Sequence, residues 1–240
     1  MLQRRIIISK DIFEKFPQFK RGIIFVQEID IVEKNKRIKK PLNKIIEQRK
    51  NERNNYEEHP FVKAWDEAHL KFGSNPDKYP PSIKALLTRA MGGGGLPFIN
   101  SVVALFNYIS IKYLVPCGGD DLNMITGNLC LGCAAGNELF TGLGSTEVEH
   151  PFTGEIIYYD SQSKQVMCRR WNWRNADFSK ITNESQKIVI NIDGINGIPR
   201  SVISDARGEL AELLKTHCNA SLTAGLLDKD NQEMSLLLSE

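Results

Sequence analysis

The 240 residues are 41% hydrophobic and 25% charged, with eleven Phe, six Tyr and three Trp, a composition that supports a packed core and excludes disorder over the whole chain. No run approaches the ~20 apolar residues that span a bilayer, and the three isoleucines after Arg4-Arg5 are too few for a signal peptide. The net charge of +2 hides a split: residues 1–63 hold 16 Lys and Arg against 9 Asp and Glu, and the remainder holds 15 against 20.

Arg5 to Ser9 reads as a short strand, and Asp11 is placed to cap a helix from Ile12 to Phe16 that Pro17 limits. Gly22 to Ile31 reads as a strand, continuously apolar in its first half and alternating in its second. Lys34 to Arg53 carries nine basic and two acidic residues. It should be helical from about Leu42, because Pro41 suits a first turn. Lys36, Arg37, Lys39 and Lys40 are its densest charges; they form either a solvated helix face or a stripe for a phosphate backbone. Phe61 to Leu70 continues helically with Phe61, Trp65 and Leu70 along one side. Ser82 caps a short helix over Ile83 to Arg89.

Gly92 to Gly95 is the sharpest punctuation in the chain. A phosphate loop needs Gly-Lys-Ser/Thr after its glycines; Leu96-Pro97 follows instead, so a joint is the better reading. A helix runs from Asn100 to about Tyr113, and Asn107 sits in this mostly apolar segment as a bracket or a ligand group. Beyond Pro116 the period changes. Strands are predicted at 128–134, 154–160, 165–174 and 187–193, with a hairpin turn at Ser161 to Lys164. A helix begins at Ser204-Asp205, and the last twenty residues read as weakly ordered or as a closing helix. Length and pattern fit one compact domain over 1–240, made of an N-terminal α/β extension (1–94), a core (95–200) and a C-terminal helix and tail (201–240).

Five cysteines, an odd number without a disulfide-like framework, predict free thiols in a reducing, cytoplasmic setting. Cys130-Leu-Gly-Cys133 has redox or zinc spacing, but it lies in a predicted strand and lacks a second ligand pair. No metal and no cofactor are expected. No Gly-x-Ser-x-Gly elbow exists, and Cys117 lacks a nearby histidine for thiol chemistry. Two segments are richer. Cys117 to Leu122 sets Asp120 and Asp121 beside Gly118 and Gly119, just after a helix. Its glycine amides can approach an oxyanion, or the segment is a tight turn with an aspartate cap. In Arg169 to Arg174, strand alternation puts Arg169, Trp171 and Trp173 on one face and Arg170, Asn172 and Arg174 on the other. That arrangement suits a stacked base and a phosphate, or one buried and one ion-paired face.

Leu96 to Leu122 resembles the opening of the tRNA-editing (B3/B4) domain of the phenylalanyl-tRNA synthetase beta subunit. Gly154 to Tyr158 and Arg169 to Arg174 are similar to the free-standing branch of that family, as are Trp65-Asp-Glu-Ala68 and Tyr79 to Arg89. The resemblance covers Phe61 to Ile195 well and residues 1–60 loosely. It implies a mixed α/β layered fold that binds the aminoacylated 3′ end of a tRNA, with neither DNA nor membrane as a partner. It also implies a trans-editing hydrolase, the alternatives being a tRNA-binding module without catalysis or an amino-acid sensor. Position by position, the family's helix asparagine falls on Asn107, with Phe106 before it, and the family's loop histidine falls on Gly118. Its side-chain-reading acid falls on Asn191, or on Asp193 two residues along. The resemblance thus implies Asn107, Gly118, Gly119, Asp120 and Asp121 as the catalytic set. Phe106, Asn191, Asp193, Arg170 and Asn172 would contact substrate, and Lys36, Arg37, Lys39, Lys40 and Arg174 would contact the nucleic acid.

Overall fold

A computed structural model of the chain describes residues 2–52, 56–92 and 95–238. Gly93 and Gly94 of the glycine run and Arg53 of the basic stretch lie outside the described residues. The chain begins with β1 (Leu2–Ile8), α1 (Lys10–Lys15), β2 (Lys20–Glu28), α2 (Lys36–Asn51), α3 (Pro60–Lys71), α4 (Ser82–Met91) and α5 (Ser101–Tyr113). There follow β3 (Cys117–Asp121), β4 (Leu129–Cys133), β5 (Phe140–Thr141), β6 (Val148–Glu149), β7 (Ile156–Asp160), β8 (Val166–Arg169) and β9 (Arg174–Asn175). The last elements are β10 (Ile188–Gly194), α6 (Arg200–Cys218), β11 (Ser221–Leu227) and β12 (Glu233–Leu238). This is a mixed α/β architecture.

One sheet has six strands in the order β12-β1-β4-β7-β8-β9, and a second has four in the order β11-β2-β10-β3. In the second sheet all neighbours are antiparallel, with Asp193 opposite Arg21 and Asn191 opposite Gly118. The run Gly22 to Val26 is fully buried, as a central strand covered on both faces requires. On one face lies α6: a Cβ on Gly22 would stand 3.1 Å from the Ile203 side chain, so the glycine admits the helix. Phe106 of α5 closes under Gly119 on this same face. On the other face the four-stranded sheet meets the six-stranded one. There Trp171 stands edge-on to Phe16, Phe19 and Trp65, at centroid distances of 5.0, 5.0 and 5.3 Å. Such edge-to-face contacts add to the area the rings bury.

Several sequence expectations are corrected. Helix α2 starts at Lys36 rather than near Leu42, because Asn35 accepts the Arg37 N–H as N-cap and Ile38, Leu42 and Ile46 form its buried stripe; Pro41 lies inside it. Ser9, not Asp11, precedes α1, and Pro81 rather than Ser82 precedes α4. Leu70 is exposed, while Val62, Trp65 and Ala68 turn inward from α3. Helix α6 begins at Arg200, behind Pro199. The last twenty residues contribute strands β11 and β12, each hydrogen-bonded to an N-terminal strand. Those partners are distant in sequence, so no local period announces them. Residues 165–174 are not one strand: Arg170 and Trp171 take left-handed backbone angles, φ +48° and +65°, and turn the chain between β8 and β9.

Candidate functional site

Cys117 to Asp121 is an edge strand rather than a loop. Among the described residues its only strand neighbour is β10, and the Asp193 N–H to Pro116 O and Leu122 N–H to Lys187 O bonds fix the ladder. Antiparallel alternation then commits Gly118 and Asp120 to β10 and turns the peptide groups of Cys117, Gly119 and Asp121 outward. Asp121 N–H accordingly donates to Ser179 O at 2.9 Å. The Gly118 amide expected at an oxyanion site is therefore used by the sheet, while Gly119 N–H points to the open edge.

A cleft folds over this edge. On the helix side a pocket of about 310 Å³ is lined by Phe106, Asn107 and Ser110 of α5, by Leu86 and Arg89 of α4, and by Lys180 and Ile181. Between the sheets a smaller cavity of about 80 Å³ is lined by Arg21, Tyr158, Trp171, Asn172, Asn191 and Asp193. Both cavities include Gly118, Gly119 and Asp120 in their walls. The two chambers thus share this glycine-bearing stretch of β3 as a common wall. A Cβ on Gly118 would find nothing within 4 Å, whereas one on Gly119 would lie 2.5 Å from Val189 O.

The two consecutive aspartates separate, because neighbours on a strand face opposite ways. Asp121 accepts from Ser185 Oγ at 2.6 Å and caps Asn123 N–H at 2.9 Å. It is a bracket and does not line the cleft. Asp120 is buried, accepts the Ser179 hydroxyl at 2.7 Å, and lies at the junction. Burial pushes its carboxyl up to about 7, against the pull of Ser179 and Arg21. Its proton therefore exchanges near neutrality. Burial drives the Cys117 thiol well above its ordinary range, so no thiolate nucleophile forms there. It raises Cys130 and Cys133 too, which disfavours a thiolate at that pair.

At the floor, Arg21 donates from Nε and Nη2 to both Asp193 oxygens, each at 2.7 Å. Burial works against the Arg21 charge and Asp193 more than offsets it, so the guanidinium pKa is raised. Both Asp193 oxygens are thereby paired with its own sheet. Arg21 Nη1, Tyr158 Oη and Asn191 Oδ1 are buried and have no partner at full hydrogen-bond geometry, although the Asn191 side chain lies close enough to Tyr158 to act on its hydroxyl. Sequence reasoning missed Arg21 and Tyr158. A lone arginine beside an apolar strand was the available signal, and only cross-strand register shows what it faces.

The other sequence candidates are placed as follows. Phe106, Asn107 and Asn191 reach the cleft. Asn172 reaches it too, and its main-chain and side-chain oxygens hold Ser82 N–H, at 2.9 and 3.3 Å, at the start of α4. Arg170 does not line it: its guanidinium lies 3.6 Å over the Tyr79 ring, with Phe152 and Trp173 nearby. Arg174 pairs with Glu149, which also holds Arg169, and Arg169 grips the buried Glu155 bidentately. The arginines of this segment therefore fix the turn they sit in. Lys36, Arg37, Lys39 and Lys40 are exposed on α2. The segment leading into α2 is tied to the cleft's rim, since Ser101 N–H donates to Val32 O and Asn183 Nδ2 donates to Glu33. Arg89 and Lys180, with the exposed apolar Ile99 and Leu143, edge the larger pocket. Among the described residues no cluster suited to a metal ion occurs and no helix is long and apolar enough to cross a membrane.

Comparison with known proteins gives three findings. The model of the B3/4 domain family matches residues 64–219. No curated protein matches the chain. Among solved structures, an N-terminal fragment of the phenylalanyl-tRNA synthetase beta subunit from Pyrococcus horikoshii is similar, with a TM-score of 0.43 and 11% identity. The match covers 96% of this chain and 53% of that one, so the chain spans about half the fragment's length.

Proposed function

The chain belongs to the B3/4 domain family, and on that premise we propose that it deacylates misacylated tRNA in trans, hydrolysing the ester between an amino acid and the terminal ribose. The observation that carries this reading is the pair of unequal chambers that share Gly118, Gly119 and Asp120 as a wall. The larger takes the terminal nucleoside, with apolar Ile99 and Leu143 for the base and Arg89 and Lys180 for phosphate. The smaller takes the aminoacyl side chain. The scissile carbonyl then lies at the junction.

There the Asp120 carboxylate accepts a proton as a water oxygen bonds to the carbonyl carbon, and its raised pKa suits a general base near neutrality. Gly119 N–H, unused by β10, donates to the oxyanion that forms. The carbon–oxygen bond to the ribose breaks, and Asp120 returns its proton to the leaving oxygen. Asn107 positions the substrate from α5. The exposed basic start of α2 meets the tRNA backbone beyond the rim, and salt should weaken that contact.

Incubating the purified chain with a full panel of aminoacyl-tRNAs tests the proposal. One or a few esters should be cleaved, and Asn107→Ala should lower kcat/KM by about 100-fold or more. No cleavage above background for any member would end the enzyme reading. A non-catalytic tRNA-binding module is favoured by one feature, the absence of a side chain at Gly118 where the resembled family carries histidine. It predicts salt-sensitive binding without turnover.

A further inference from the structure

The chemistry of the small chamber goes further than the reaction. Its volume of about 80 Å³ is well below the ~150 Å³ of a cavity that holds a benzene ring, so a phenyl or phenol side chain would have to displace its walls. Its charge is internally balanced: Arg21 spends two nitrogens on Asp193, and Asp193 spends both oxygens on Arg21. A cationic side chain finds the Asp193 carboxylate already paired, and the acid it would meet is Asp120, bonded through one oxygen to Ser179. An anionic one meets a guanidinium already neutralised, with Asp120 close by. The atoms left without partners are the donor Arg21 Nη1, the acceptor Asn191 Oδ1, and Tyr158 Oη, which can do either. Arg21 and Tyr158 are 2% and 3% exposed, so they are closed off from bulk solvent. An aliphatic side chain would seal these groups unpaired, which disfavours its binding. A group that accepts from Arg21 and donates to Asn191 satisfies them.

We propose that the chamber selects an aminoacyl group with a short neutral side chain that both accepts and donates hydrogen bonds, a hydroxyl or a carboxamide, and rejects aromatic and aliphatic ones. The selection rests on the deacylase reading for its place in a reaction, but not for its measurement. Tyr158 and Asn191 set the preference by hydrogen bonding to the side chain, and Arg21 adds a third contact held in place by Asp193.

Non-hydrolysable 3′-aminoacylamino-3′-deoxyadenosines give the test, with calorimetric affinities for the threonyl, valyl, asparaginyl, leucyl and tyrosyl compounds. Threonine and valine, and asparagine and leucine, are pairs of nearly equal shape, so each ratio isolates hydrogen bonding. The expected result is a preference of about 100-fold or more for the polar member of at least one pair, with the tyrosyl compound the weakest. Tyr158→Phe, which keeps the ring and the packing, should shrink that ratio about tenfold. Asn191→Leu should do the same, with its thermal melt recorded to show a folded protein. Equal affinities within both pairs, tightest binding of the tyrosyl compound, no binding of any compound, or a ratio unmoved by Tyr158→Phe would each overturn the proposal. The analogues cannot be hydrolysed, so the two readings fail separately. The expected ranking without cleavage of any aminoacyl-tRNA overturns the enzyme and keeps the selectivity. Cleavage of tyrosyl or aliphatic esters in preference to the polar ones does the reverse.

Discussion

The two sides of the edge strand β3 are built on different principles. Between the sheets, the side chains are buried and fixed by charge: Arg21 and Asp193 lock across neighbouring strands, with Trp171 and its aromatic neighbours around them. On the helix side, buried Leu86, Phe106, Ser110 and Ile181 are joined by half-buried Val103 and Asn107, and Arg89, Lys180, Ile99 and Leu143 are open to solvent. The first side is rigid and selective by hydrogen bonding. The second is wide and admits a larger group. A substrate that is small and variable at one end and large and constant at the other matches that contrast.

Substitutions on the two sides should therefore differ in cost, and the largest effect belongs to the floor. Asp193→Ala leaves the Arg21 charge buried and unpaired, and urea unfolding should show a loss of about 3–5 kcal/mol. Replacing both partners, Arg21→Met with Asp193→Leu, should recover most of it. A loss below about 1 kcal/mol for the single variant would show that the floor is not held by this pair.

Asp120 comes next, through pH. Its folded pKa of about 7 lies above the ordinary value of 3.8, so between these pH values the folded state binds more protons than the unfolded one. Stability from this group is complete below about pH 4 and falls as pH rises to about 7, by no more than about 4 kcal/mol in all. Asp120→Asn keeps an acceptor for Ser179 and should lose this slope, being the more stable protein at pH 8 and equal at pH 4. In the deacylation assay the wild-type rate should climb tenfold per pH unit below about 7 and level off above it. Parallel slopes for the two proteins would remove Asp120 as the titrating group.

The junction glycines should separate sharply from one another. Gly119→Ala places a methyl 2.5 Å from Val189 O and should cost about 1–3 kcal/mol by overpacking. Gly118→Ala meets open space and should stay within about 0.5 kcal/mol, which thermal melts of the two proteins would compare. The smallest effect on stability belongs to the mouth. Arg89→Glu should also lie within about 0.5 kcal/mol, yet weaken tRNA binding and flatten its dependence on salt. An unchanged salt slope would place the phosphate contact elsewhere.

Much of this site is legible in the sequence because its parts lie on strongly patterned elements. Asn107 is conspicuous as a polar residue in an apolar helix, and the alternating end of β10 puts Asn191 and Asp193 on one face whichever register is chosen. The Gly-Gly-Asp-Asp run is visible too, but its form is not. Glycines and aspartates read as a turn, and only pairing with β10 makes them an edge strand. The division of labour between Asp120 and Asp121 follows from that strand's alternation. In Arg169 to Arg174 the expected alternation fails because Arg170 and Trp171 turn the chain. The turn is held by the pair of Arg169, at the end of β8, and Glu155, just before β7.

What the sequence determined by itself is local: the mixture of helices and strands, the apolar core runs, the uneven charge, and a resemblance carried by short motifs. These depend on residues a few positions apart, where helical and strand periods act. What the tertiary structure decided is relational. Arg21 meets Asp193 across 172 positions, and Ser179 meets Asp120 across 59. The N- and C-terminal segments supply neighbouring strands to both sheets. Hydrogen-bond register between distant strands brings these groups together, and burial there, not residue type, sets their charge and leaves their remaining atoms waiting for a partner.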